Sequence, residues 1–175
     1  MRDRGDKVYY LLGFPGTASE VDGADPASFD DPARFAIVSN RDYYLFTKDG
    51  STVHVNGEVI DGADPATFAV LDGAYSRDAT RVYYFTGTIA DADAAALRTL
   101  EGPYARDATR VYWMGKPIDG ADPMTFRVLN SDFECSADAM RAYYRDVVVT
   151  RADPRSFPPG RAVTRCDETS ITFAE

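Results

Sequence analysis

The 175-residue chain has one histidine, two cysteines and one tryptophan, and each scarcity closes off a class of chemistry. Zinc sites draw three or four ligands from Cys, His and carboxylates. One His, with no Cys pair at ligand spacing, does not supply them, so no metal or other cofactor is expected. No Gly-rich phosphate loop, Walker motif or Gly-x-Ser-x-Gly elbow occurs, which removes the nucleotide and serine-hydrolase machineries built on them. Basic residues are in the minority, 19 Lys and Arg against 28 Asp and Glu for a net charge of −9. Phosphate backbones demand the opposite balance, so no nucleic-acid partner is expected. Nor is there a long uncharged apolar run. Met1 to Tyr10 lacks the apolar centre of a signal peptide, and no segment reads as a membrane span. The expectation is a protein that is not an enzyme, cytoplasmic by default, or of the envelope or periplasm where a native leader has been removed.

What the chain has instead is repetition. KDGSTVHVNGEVIDGADPATFAVL from Lys48, RDATRVYYFTGTIADADAAALRTL from Arg77 and RDATRVYWMGKPIDGADPMTFRVL from Arg106 align without gaps, and Asp49, Asp78 and Asp107 recur every 29 residues. SADAMRAYYRDVVVTRADPRSF from Ser136 is a fourth copy after a step of 31. CDETSITF from Cys166 matches the first half of a fifth. DKVYY from Asp6 and DGADPASF from Asp22 make an early copy broken by an insertion, and residues 30–40 form a second insertion. The chain therefore reads as a single repeat domain over 1–175: a degenerate copy at 1–47, regular copies at 48–165 and a partial copy at 166–175. End units that depart from the pattern are expected where an array must be capped.

Each copy has a local grammar. Asp78-Ala-Thr-Arg is a turn in which the Asp side chain bonds backbone amides ahead of it. Arg81 to Phe85 is β-branched and aromatic, which suits a strand. Asn56-Gly57, Thr86-Gly87 and Met114-Gly115 mark a second tight turn. In Ala63-Asp64-Pro65, Asp is a good N-cap and Pro fits the first helical position, so a short helical turn is predicted, anchored by Phe68, Leu97, Phe126 and Phe157. The fold class is mostly β: about five β-hairpin repeats of ~29 residues, each with that helical turn. The recurring Asp22-Gly-Ala-Asp25, Asp61-Gly-Ala-Asp64 and Asp119-Gly-Ala-Asp122 segments lack the calcium-loop pattern and read as caps and turns.

Alternation sorts the strand residues into faces. Val8, Val53, Val82, Val111 and Ala142 form an apolar column assigned to the core, with Tyr10, Val55, Tyr84, Trp113 and Tyr144 on the same face. The opposite face carries Tyr9, His54, Tyr83, Tyr112 and Tyr143, with Arg81, Arg110 and Arg141 beside them. Exposed, that face is a ladder of the residue types enriched at protein interfaces; otherwise Arg stems and Tyr rings cover a second side of the sheet. The cysteines sit three residues before Asp138 and one before Asp167. That offset keeps them on one face, so a disulfide is conceivable, but an intervening strand would part them and free buried thiols are expected.

The unit "ARDATRVYWMGKPIDGADPMTFRVL" resembles the bacterial DKNYY family, whose pattern is a Lys-Asp-x-x-x-Val-Tyr-Tyr-type segment, Gly, a short strand, Gly-Ala-Asp-Pro and Phe. The resemblance runs from about Asp6 to Phe173, with Arg for Lys in two copies and no Pro at Ala94. It implies the repeat and no activity; many members look like envelope or secreted proteins. The expected function is a non-catalytic protein-binding module, in particular an immunity protein that neutralises a bacterial toxin by direct binding. Its partner would be a basic toxin domain, and its binding residues Tyr83, Tyr112, Tyr143, Arg81, Arg110, Arg141 and His54. The alternative is a cell-envelope or secreted binding or structural module.

Overall fold

Strand-forming runs of a few residues, each closed by a turn, can pair only with their immediate neighbours in sequence, and the result is a set of small antiparallel meanders. The computed structural model describes residues 2–3, 7–12, 17–21, 23–24, 26, 36–41 and 44–175. Asp6, Asp22 and Asp25, residues 30–35 of the second insertion and the side chain of Tyr10 lie outside that description. The chain divides into two compact units, Met1–Ala90 and Asp91–Glu175.

The first unit holds a three-stranded sheet of Arg2–Asp3, Val8–Leu12 and Thr17–Glu20. Two four-stranded sheets follow. One comprises Ala36–Arg41, Tyr44–Lys48, Val53–Val55 and Glu58–Val59, and the other Ala69–Asp72, Tyr75–Arg77, Val82–Tyr84 and Gly87–Thr88. In the second unit, Arg98–Thr99, Tyr104–Arg106, Val111–Trp113 and Lys116–Pro117 form one four-stranded sheet. Arg127–Asn130, Cys135–Ala137, Ala142–Tyr144 and Val147–Val148 form the next, and Val163–Cys166 pairs with Ile171–Phe173. Every pairing is antiparallel and follows chain order. This is a mostly β repeat protein, and the repeating sheet is a meander whose middle hairpin carries the Asp turn.

The Asp-Pro segments, and Asp93-Ala94 in the copy that lacks the proline, make single helical turns. Asp64 Oδ1 accepts from Ala66 N at 2.9 Å, Asp93 Oδ1 from Ala95 N at 2.8 Å and Asp122 Oδ1 from Met124 N at 2.9 Å. Leu97 N and Phe126 N then donate back to the carbonyls of Asp93 and Asp122 at 2.9 and 3.0 Å. In the fourth copy the turn is a 3-10 helix, Pro154–Ser156, capped by Asp153. Each turn delivers an apolar side chain inward: Phe68, Leu97 and Phe126 are buried and Phe157 is half-buried.

The Val8, Val53, Val82, Val111 and Ala142 column is buried at every position. Around it, Phe46, Val55, Ile60, Phe68 and Tyr83 make one cluster in the first unit. Tyr104, Trp113, Ile118, Phe126 and Tyr143 make another in the second. Among the described residues, no helix is long and apolar enough to cross a membrane.

Candidate functional site: the aspartate–tyrosine joints

The Asp turn places a carboxylate below the start of a strand, and the strand's alternation aims a Tyr back at it five residues later. In the second copy Asp78 Oδ1 accepts from Thr80 N and Arg81 N, both at 2.7 Å. Its Oδ2 accepts from the Tyr83 hydroxyl at 2.7 Å and from Asp64 N, in the preceding copy's helical turn, at 3.2 Å. The same set recurs at Asp107, with Tyr112 OH at 2.7 Å and Asp93 N at 3.2 Å. It recurs again at Asp138, with Tyr143 OH at 2.6 Å and Asp122 N at 3.1 Å. One carboxylate thus closes its own turn, fixes a ring and ties two copies together.

These groups are poor candidates for acid–base chemistry. Burial pushes the Asp107 carboxyl up, but the Tyr112 hydroxyl and the amides of Thr109, Arg110 and Asp93 outweigh it and hold the pKa at about 2. Asp78 and Asp138 are lowered for the same reasons. Burial first, and then donation to Asp78, raises the Tyr83 hydroxyl to about 12. A carboxylate this saturated with donors has little basicity left to offer a substrate.

The binding ladder read from the sequence is corrected by this geometry. Tyr83, Tyr112, Tyr143 and His54 are each 0% exposed, and the rings of Tyr83 and Tyr143 pack on Phe68 and Phe126 of the preceding copy's helical turn. His54 takes the Tyr slot in the first regular copy, paired across the sheet with Thr47 and Val59. Arg81 and Arg141 remain exposed and Arg110 half-exposed, with their heads engaged. Arg81 Nη1 donates to the Gly62 carbonyl and Arg141 Nη1 to the Gly120 carbonyl, both at 2.7 Å. In the copy between, Asp91 replaces that glycine, and its Oδ2 lies 3.5 Å from Arg110 Nη1.

Two features escaped the sequence reading. Met124 is 81% and Met140 67% exposed. They stand where the sister copies have Ala66 and Ala95, and Thr80 and Thr109, and this departure within otherwise small or polar columns was their legible signal. The bond from Ala139 N to Thr125 Oγ1, 3.1 Å, brings the two segments together. The cysteines are the second feature and a correction: they form a disulfide, with Cα atoms 6.1 Å apart, rather than free thiols. Cys135 occupies the column of Tyr104, whose ring packs on Phe126 and clusters with Tyr143 of the following copy, and the cysteine likewise reaches the copy that follows it.

Comparison with known proteins adds one finding. The family model described as the DKNYY family matches residues 2–147, and the chain belongs to that family. No curated protein and no solved structure matches. The matched span includes Cys135 and stops short of Cys166.

Proposed function

We propose that this member of the DKNYY family is a non-catalytic binding module of an oxidising compartment, the cell envelope or the secreted medium. The observation that carries the reading is the Cys135–Cys166 disulfide. Disulfides form and persist outside the reducing cytosol, and where they occur inside it they are mostly catalytic or transient. The joints support the non-catalytic half of the reading: the best-placed carboxylates are engaged by turn amides and tyrosine hydroxyls. Binding by a rigid repeat falls to what the joints leave exposed, the Met124 and Met140 side chains and the acidic surface. Thiol trapping in intact cells tests the compartment. The native protein should resist a maleimide label until reduced, whereas full labelling without reductant would reject an oxidising location.

A second reading rests on charge. A net charge of −9 favours a basic partner, and an immunity protein bound to a basic toxin domain is a partner of that kind. Affinity capture from the native organism tests it. One stoichiometric basic protein, released by salt, supports the antidote; recovery of envelope components alone returns the weight to the first reading.

A further inference from the structure

We propose that the Cys135–Cys166 disulfide is a redox latch: it holds the hairpin of Val163–Cys166 and Ile171–Phe173 on the fourth copy, and a dithiol reductant releases it.

That hairpin lacks the fastening that the other copies have. The joints at Asp78, Asp107 and Asp138 each combine a Tyr hydroxyl with an amide from the preceding helical turn. Asp167 is the equivalent residue of the last hairpin and closes its own turn, accepting from Thr169 N at 2.9 Å and Ser170 N at 3.0 Å. There the likeness stops. Thr172 stands in the tyrosine column and points to solvent, so no ring reaches back to the carboxylate. Asp167 Oδ2 turns to Arg165 at 3.0 Å instead of taking the amide of Asp153.

Apolar contact is the other attachment. Ile171 packs on Ala137, Ala142 and Val149, and the Phe173 ring lies 4.9 Å from that of Phe157. A two-stranded hairpin has marginal stability by itself, so its order depends on being held. The chain departs from its repeat at both positions that do so. Cys135 replaces the aromatic of the column Phe46, Tyr75 and Tyr104, and Cys166 replaces the basic residue of Arg77 and Arg106. At this one joint a covalent bond stands in for the Asp–Tyr set.

Access favours exchange from one side. Cys135 is fully buried, and Cys166 is half-buried beside exposed Arg165. A thiolate of the dithiol attacks the Cys166 sulfur, the protein S–S bond breaks and Cys135 leaves as a thiolate. The second thiolate attacks the mixed disulfide and expels Cys166. The dithiol is oxidised to its disulfide, the protein takes up the two electrons, and protons from water complete the thiols. The released hairpin uncovers Ala142, Val149 and Phe157. This inference is independent of the compartment and partner proposed above.

Hydrogen exchange on the full oxidised chain, before and after dithiothreitol, tests it. Reduction should speed exchange roughly tenfold or more across 163–173 and leave the Tyr104–Trp113 hairpin unchanged, as for a locally opening segment. The Cys135→Ser, Cys166→Ser double variant should show the same fast exchange without reductant. Three results would overturn the proposal: a disulfide that dithiothreitol leaves intact in the folded chain, unchanged exchange once both thiols are free, and uniform acceleration through 91–175. The last would make the bond a staple for the whole unit.

Discussion

Gly62, Asp91 and Gly120 occupy one repeat position, and all three have positive φ, at 71°, 57° and 70°. Glycine takes that conformation without cost, and an L-residue with a Cβ pays about 1–2 kcal/mol. A Cβ at Gly62 would also fall 2.6 Å from Arg81 Nη1, displacing the guanidinium from its carbonyl. Asp91 offsets its strain with a carboxylate that meets Arg110. Gly120→Ala should therefore destabilise the chain by about 1–2 kcal/mol in urea unfolding, while Asp91→Gly should be neutral or stabilising by up to about 1 kcal/mol. Equal losses at both would mean that the position does not need its left-handed backbone. The Asp turn itself was legible, because its bonds span only two or three residues. Burial of Tyr83 was not, because the Gly62 segment that covers it lies 21 residues away and spacing on one strand does not report what packs on it.

At the scale of the element, the tight turn joining the last two strands of each four-stranded sheet puts Asn56, Phe85, Met114 and Arg145 at positive φ. In the Asn56-Gly57 and Met114-Gly115 turns both central residues are positive, the geometry that favours Asn-Gly in two-residue hairpins. Asn56 also accepts from Leu45 N at 2.8 Å through its side chain, but the equivalent of Leu45 in the Met114 copy is Pro103, which has no N–H to donate, so only the left-handed preference of Asn carries over. Met114→Asn should then raise stability by about 0.5–1 kcal/mol through the backbone preference alone; thermal unfolding would show it, and a lower midpoint would mean that this turn does not need its left-handed conformation. The turn was visible from Asn-Gly in one copy and transferred to the others by alignment. The Asp-Pro helical turn was visible for a similar local reason, N-cap chemistry followed by Pro. The pairing of Cys135 with Cys166 was not, because the distance between columns of neighbouring copies is a property of how sheets stack and is absent from the spacing.

For the whole molecule, the repeated joints make stability a function of pH at both ends. Carboxyls held below their ordinary value contribute stability that is complete above the unfolded pKa, near 4, and is lost as pH falls through the folded value, about 2 for Asp107. Tyr83, raised to about 12, acts in the opposite sense: its contribution is present below about 10 and lost as pH climbs toward 12. The urea midpoint should be flat from about pH 5 to 9 and fall on either side; a maximum at acid pH would contradict the joints. Repetition, β class and acidity were open to reading at this scale because they are sums over the chain, whereas the surface left for a partner depended on which face the neighbouring copies cover. The most direct test that the buried Asp–Tyr bond is the energetic centre of each joint is a double-mutant cycle on Asp107→Asn and Tyr112→Phe in urea at neutral pH. The two substitutions should couple by about 1–3 kcal/mol. Effects that add to within about 0.3 kcal/mol would show that the carboxylate and hydroxyl are neighbours without being partners.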